Sequence, residues 1–329
     1  MTYQNPVWPG YFADPFVLRW EDEYYAYGTG PAAPDGRRFP LLHSPDLVHW
    51  SCLGGALEPP SPTEDWAPGN AFWAPEVAEH EGRFYLYYSA SSSGGDETHR
   101  LRVATADHPA GPFVDSGRLL LPDESFTIDA SPFRDPATGQ WYLFFARDYF
   151  DGRVGTGTAV VPLRADLMGP AGEPKTVVRA TADWQIHQRD REIYGRTWDA
   201  WHTVEGPFVV AHEGLYYCFY SGGAWHQPNY GVGYAVADHP LGPYREPGAP
   251  SRPSVLSGVP GKVIGPGHNS VVLGPDGLTL FIVYHAWDPE MTARRLCIDP
   301  LEWTPEGPRC QGPSSERVAL PLTPNGPHH

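Results

Sequence analysis

"VATADHPAGPF", residues 103–113, returns 131 residues later as "YAVADHPLGPY", residues 234–244. Looser versions stand at "LLHSPDLVHW" (41–50) and "LCIDPLEWTPEGP" (296–308). Before each of these, and once more between them, stands a hairpin of one shape: a short apolar strand, a turn, then a strand dense in Tyr and Phe. These hairpins are "ADPFVLRWEDEYYAYGTG" (13–30), "WAPEVAEHEGRFYLYYSA" (73–90), "DASPFRDPATGQWYLFFA" (129–146), "VEGPFVVAHEGLYYCFYSGG" (204–223) and "GHNSVVLGPDGLTLFIVYHA" (267–286). Their turns, "EDE", "HEG", "DPATGQ", "HEG" and "GPDG", have hairpin chemistry. A two-hairpin unit repeated roughly every 55 to 75 residues describes four-stranded blades around an axis. The expected fold is an all-β, five-bladed β-propeller with antiparallel blades, a single unit spanning residues 1–329. A β-sandwich would leave the repeated ADHPxGP phrase without a reason. The segment from about 150 to 200 fits the blade pattern least, and "TADWQIHQRDREIYGRTWDAWH" (181–202) within it reads as an insertion serving a site.

Composition agrees. Hydrophobic residues make up 41% of the 329, enough for a large core, and 36 Gly with 38 Pro imply many turns and few long helices. The 18 Tyr and 12 Trp suit pleated surfaces and offer flat faces to sugar rings. A formal charge of −16 repels nucleic acid and anionic membranes, so a neutral small molecule or polysaccharide is the expected partner. Nothing in the charge pattern points to a protein partner, and the oligomeric state is left open. Cys52, Cys218, Cys297 and Cys310 form no CxxC pair, which argues against a structural zinc; a Cys297–Cys310 bridge stays open. No signal pattern precedes "MTYQNP" and no stretch reaches the length of a membrane span, so the expected location is cytoplasmic, or secreted if a leader has been trimmed. His328 and His329 read as remnants of a tag.

Aligning the repeats places a distinctive residue at the start of each innermost strand: Asp14, the Trp73-Ala74 pair, Asp129, Glu205 and His268. Innermost strands run side by side around the channel, so residues at one end converge on one face. Asp14 and Glu205 stand 191 positions apart, and only the repeat brings them together. Like charges in one pocket raise one another's pKa, and burial adds to the shift. The result is one carboxyl that stays ionised and another that keeps a proton near neutrality, as glycoside hydrolysis requires.

With "NPVWPGYFADP" (5–15), "FWAPEV" (72–77), "IDASPF" (128–133), "VEGPFV" (204–209) and "GPGHNSVV" (265–272), the chain resembles glycoside hydrolase family 43 over almost its whole length. The resemblance implies Asp14 as general base, Glu205 as general acid, and Asp129 as the acid that tunes and orients Glu205. It also implies inversion at the anomeric carbon, with the Asp14 and Glu205 carboxyls about 6.5–9.5 Å apart. His268 fills the position of an imidazole facing a central cation, often calcium; such an ion would be structural or electrostatic, a core histidine bonded to the acid cluster is the alternative, and no cofactor is required for the chemistry. Trp73 with Phe72, Trp201, Trp225 and Arg294 are the expected substrate contacts, although the adjacent Arg295 leaves the register of Arg294 open. "FRDP" (133–136) resembles the motif of sucrose- and fructan-cleaving relatives, but Asp135 opens the hairpin turn and Asp129 holds the catalytic phase, which disfavours a retaining fructosidase.

The resulting expectation is an inverting exo-glycosidase releasing pentose, first of all an α-L-arabinofuranosidase acting on arabino- or arabinoxylo-oligosaccharides. A β-xylosidase, an endo-arabinanase and a non-catalytic sugar-binding propeller are the alternatives. The chain ends soon after the fifth repeat, without room for the C-terminal β-sandwich of many β-xylosidase relatives, which favours arabinose.

Overall fold

The computed structural model describes residues 2–59, 71–91, 95–248 and 251–321; His328 and His329 lie outside the described residues. Small antiparallel sheets form five blades around an axis. Blade 1 holds Ala13–Trp20, Glu23–Thr29, Arg38–Ser44 and Ser51–Leu57 in consecutive order, innermost strand first. Blade 2 (Phe72–His80, Arg83–Ser91, His99–Ala106, Val114–Leu119) and blade 5 (Ile264–Leu273, Leu280–Trp287, Arg294–Thr304, Gly307–Cys310) repeat that order. Blade 3 consists of Thr127–Arg134, Trp141–Tyr149, Gly155–Pro162 and Lys175–Val178. The insertion adds a hairpin to it, Ile186–Ile193 with Arg196–His202, joined where Gly155 pairs with His202. Blade 4 has three strands among the described residues, Val204–His212, Leu215–Gly222 and Gly231–Ala237, rather than the expected four. Where a fourth would run, Arg245 makes a single bridge to Val236 between Pro243 and Pro247, which have no N–H to donate to a ladder.

The two ADHPxGP stretches form the same turn. In each, the Gly N–H (Gly111, Gly242) donates to the His carbonyl three residues back (His108, His239), at 2.9 and 2.8 Å. The His Nδ1 accepts from the next-but-one backbone N–H at 3.0 Å in both. Both glycines have φ near the left-handed region, 71° and 78°, where a Cβ is disfavoured.

The aromatic second strands bury both faces, because each blade packs against two neighbours. Tyr25 and Tyr27 meet Phe84, Leu86 and Tyr88 of blade 2, whereas Tyr24 and Ala26 meet Phe281 and Val283 of blade 5. Leu143 and Phe145 pack toward blade 2, and Tyr142 and Phe144 toward blade 4. The period of two thus divides each strand between two seams, each buried ring contributing about 1.5–3 kcal/mol. Across the axis, Phe16 of blade 1 and Phe208 of blade 4 bring their rings to 6.4 Å. Thr2–Tyr3 pairs with Val318–Ala319 beside the seam between blades 5 and 1. Cys310 pairs with Leu301, four residues along the strand from Cys297. At ~3.3 Å per residue that is on the order of 13 Å, too far for a disulfide, and both thiols are free.

Every innermost strand carries a bulge near its start, beside a residue in the left-handed region: Asp14 (φ 49°), Ala74 (48°), Asp129 (58°), Gly206 (55°) and His268 (50°). This corrects the phase expected from sequence. Asp14, Asp129 and His268 are equivalent, but Glu205 and Trp73 stand one residue earlier. In blade 4 the left-handed position has gone to Gly206, where a Cβ would lie 3.3 Å from the His268 ring. A non-glycine residue at such a φ costs of order 1–3 kcal/mol, and Asp tolerates it better than most. The strain lies where the carboxylates are aimed into the channel mouth.

Candidate active site

The bulges of blades 1, 3 and 5 and the residue before the bulge of blade 4 bring Asp14, Asp129, His268 and Glu205 to the floor of a cavity of about 320 Å³. Trp73, Trp201, Trp225 and Arg294 line it too. The blade 3 hairpin supplies one wall with His187, Arg191, Ile193 and Tyr194, so the insertion does face the site.

Asp14 sits among a guanidinium and two imidazoles. The Arg294 guanidinium approaches its Oδ1 at 3.1 Å and the His268 Nδ1 at 3.5 Å. Its backbone N–H donates to the His285 Nδ1 at 3.1 Å. Burial by itself would raise its pKa, but Arg294 and then His268 outweigh burial and hold the carboxyl well below the usual range. Arg294 is itself pinned: it donates to the Tyr11 hydroxyl at 3.1 and 2.8 Å, and its guanidinium lies 4.5 Å from the Trp225 ring centroid. The register is therefore fixed, since Arg295 turns away to Asp288 at 3.0 Å.

The Glu205–Asp129 side is different. Asp129, 6% exposed, accepts the Gly206 N–H on Oδ2 at 2.9 Å. Burial, then Glu205 and Asp14, push its pKa well up. Glu205 accepts the Tyr230 hydroxyl on Oε1 at 2.7 Å. Burial raises it to about 7, with Asp14 adding to the rise while Tyr230 and Arg294 oppose it. The two acids interact and titrate as a pair that keeps a proton at neutral pH. Tyr230 in turn stacks on His285 (5.9 Å, 10°), and a Cβ on Gly267 would collide with its ring, so glycine there admits the tyrosine.

The aromatic residues divide. Trp225, 37% exposed, presents a face at the rim and stacks on Trp287 at 5.9 Å. Trp201 is buried, with Arg191 5.2 Å from its ring. Trp73 reaches the cavity with one face covered by His99 at 3.5 Å. Phe72 is not in the central cavity. As its neighbour along a strand, Phe72 points to the other side, where its ring stacks on Tyr88 and lines the adjoining groove. Sequence reasoning missed Tyr11, Tyr230, His285 and Asp148. Asp148 lines the cavity and accepts from the Tyr194 hydroxyl at 2.6 Å and the Thr156 hydroxyl at 3.1 Å; burial raises its pKa. A visible signal existed for it: like Asp14, it is an acid inside an apolar strand. Asp135 of "FRDP" is held in the hairpin turn by Tyr216, Ala137 and Thr138, away from the cavity.

No group of three or more His, Cys, Asp or Glu side chains among the described residues could hold a metal ion. His268 turns Nδ1 to Asp14.

The model of "Glycosyl hydrolases family 43" matches residues 3–308. The crystal structure of a thermostable family-43 glycoside hydrolase superposes with a TM-score of 0.84 at 34% identity, covering 98% of this chain and 99% of that one. A β-D-galactofuranosidase of Aspergillus niger is 30% identical over 92% of this chain and 83% of its own length. An extracellular exo-α-(1→5)-L-arabinofuranosidase of Streptomyces chartreusis is 28% identical over 86% of this chain and 82% of its own. With the family model spanning nearly the whole chain and the propeller in place, the protein belongs to glycoside hydrolase family 43 and is an inverting glycosidase.

Proposed function

We propose that the cavity removes a terminal pentofuranosyl residue, first of all α-L-arabinofuranose, from an oligosaccharide, with Asp14 as general base, Glu205 as general acid and Asp129 orienting Glu205. The observation that carries this reading is the opposed state of the carboxyls in one cavity. Asp14 is held ionised by Arg294, while the Glu205–Asp129 pair keeps a proton. A water on the Asp14 side gives its proton to that carboxylate as its oxygen bonds to the anomeric carbon. The bond from that carbon to the glycosidic oxygen breaks, and that oxygen takes the proton from Glu205. Inversion follows, because water and leaving group occupy opposite faces. The hairpin wall and the modest cavity favour a chain end over the middle of a polymer.

The test is a panel of p-nitrophenyl pentosides and hexosides with arabino- and xylo-oligosaccharides, and proton NMR of the first product anomer. α-L-Arabinofuranoside turnover with an inverted anomer is expected; preferential xyloside cleavage would move the assignment to β-xylosidase, and cleavage only inside longer arabinans to an endo-arabinanase. A retained anomer would refute Asp14 as base. The panel includes β-D-galactofuranoside because of the Aspergillus relative; that sugar repeats the ring stereochemistry of α-L-arabinofuranose with one more carbon outside the ring. Binding of a sugar with no turnover of any glycoside would leave a sugar-binding propeller. EDTA followed by calcium, read as activity and melting temperature, tests the expected central ion.

A further inference from the structure

Four of the five blade seams are closed by one device. At these the backbone N–H of the left-handed bulge residue donates to the side chain that stands, in the preceding blade, opposite the residue before that blade's own bulge. Ala74 N–H donates to Thr29 Oγ1 at 2.8 Å, and Asp129 N–H to Ser89 Oγ at 3.0 Å. His268 N–H donates to Ser221 Oγ at 2.7 Å, and Asp14 N–H to His285 Nδ1 at 3.1 Å. The acceptors are equivalent by register: Thr29 pairs with Ala13, Ser89 with Trp73, Ser221 with Glu205 and His285 with Gly267. The fifth equivalent is Ala146, opposite Ile128. Ala146 has the strand parity of Tyr142 and Phe144, which pack toward blade 4; it is fully buried, against Phe126 and Ile128, and its methyl accepts nothing. At that seam alone the bulge N–H, of Gly206, goes to a carboxylate, Asp129 Oδ2.

We infer that Ala146 is a positioning residue: by withholding the acceptor that every other seam supplies, it leaves the Gly206 N–H to Asp129 and thereby shifts the shared proton toward Glu205. This rests on the proposed roles of Glu205 and Asp129. A hydrogen bond donated to a carboxyl favours its ionised form. Because Asp129 and Glu205 share a proton, favouring ionised Asp129 favours protonated Glu205, the state that can protonate a leaving oxygen. The same bond ties the peptide that follows Glu205 to blade 3. With one proton on the pair, its division between the two acids does not depend on pH. Disturbing the bond therefore lowers the plateau of the pH profile rather than only moving its limb.

The test places an acceptor where the methyl is. In Ala146→Ser the hydroxyl competes for the Gly206 N–H. On phenyl α-L-arabinofuranoside, whose leaving group needs the acid, kcat falls about tenfold or more across the plateau, while KM stays within about twofold. On the 2,4-dinitrophenyl glycoside, whose phenolate leaves with little help, kcat stays within about twofold. Ala146→Cys, close in size with a weaker acceptor, shows the same selective loss in smaller measure, and carries the test should Ala146→Ser not fold. Thr29→Ala, at the seam between blades 1 and 2, lowers the melting temperature and leaves the ratio of the two rates unchanged. That pattern in the Ala146 variants, or no loss in them, overturns the inference. Glu205→Gln measured alongside separates two failures. A selective loss there with none at Ala146 overturns the Ala146 role alone; an equal loss on both glycosides in Glu205→Gln overturns the acid assignment and the inference together.

Discussion

Two sides of one cavity hold the same functional group in opposite states. On the blade 1 side, Asp14 meets a guanidinium and two imidazoles, and these outweigh its burial. On the blade 3–blade 4 side, Asp129 and Glu205 meet each other, a tyrosine hydroxyl and a backbone N–H, and burial dominates. Depth does not distinguish them, since Asp14 and Asp129 are 8% and 6% exposed. The sign of the nearest charge does. A fivefold scaffold offers equivalent places to like residues, and the chemistry comes from what breaks the equivalence: Arg294 on one side, a second acid on the other.

The largest effect should come from removing either pole. Asp14→Asn and Glu205→Gln keep the side-chain shape and each lower kcat on an unactivated oligosaccharide by about 10²–10⁴-fold. Sugar binding, read by calorimetry with arabino-oligosaccharides, persists in both. An Asp14→Asn enzyme with near-normal turnover would dissolve the comparison, because the ionised pole would then have no chemical part.

Arg294→Ala should come next, and it tests the cause rather than the group. Without the guanidinium, burial raises Asp14 toward and past the ordinary carboxylate range. The acid limb of kcat/KM, which reports the base becoming protonated, moves to higher pH, and the loss of activity is steeper below neutrality than above it. Stability gives an independent reading. Asp14 has a depressed folded-state pKa, so its pairing contributes above the unfolded value of about 3.9 and is lost as pH falls below that. The melting-temperature gap between wild type and Arg294→Ala should accordingly narrow below about pH 4. An unmoved acid limb would show that the His268 and His285 imidazoles hold Asp14 ionised without the guanidinium.

Trp225→Ala probes a face that belongs to neither pole. Losing roughly 50 Å² of apolar contact at about 25 cal/mol per Å² raises KM about tenfold. Since the ring also supports Arg294 at 4.5 Å, a small shift of the acid limb should accompany the change in KM. Steady-state kinetics across pH separates the two.

The propeller was legible because period and turn chemistry are local, and they repeat. Asp14 and Asp129 were legible because a charge inside an apolar strand is anomalous, and recurrence at one phase made it informative. The offset of Glu205 was not read, although "VEGPF" carries its signal: Gly206 is the residue that adopts the left-handed φ without cost. Tyr230, His285 and Tyr11 were hidden for the opposite reason. In a chain dense with aromatics, a tyrosine whose hydroxyl meets a carboxylate looks like any other, and only the fold shows that Tyr230 reaches Glu205 while Tyr24 ends at the Leu273 carbonyl. Ala146 carries no mark at all, since its part lies in an atom that its four equivalents have and it lacks.

Tyr230→Phe gives the smallest change and the finest measure of the acid side. The hydroxyl donates to Glu205 Oε1 at 2.7 Å and so favours the ionised form. Removing it leaves burial and Asp14 to act with less opposition, and the Glu205 pKa rises further above about 7. The alkaline limb of kcat, set by loss of the acid's proton, should move up by about half a unit to one unit, because a neutral hydrogen bond is worth about 1 kcal/mol and one pKa unit is about 1.4 kcal/mol. The hydroxyl's hydrogen bond goes to Glu205 rather than to Asp14, so the acid limb should stay in place, and kcat on the plateau should fall only a few-fold as Glu205 gains freedom. Movement of both limbs would mean that the stacked Tyr230–His285 pair transmits the change to the Asp14 backbone, and the two sides would then be one coupled unit rather than two separately tuned poles.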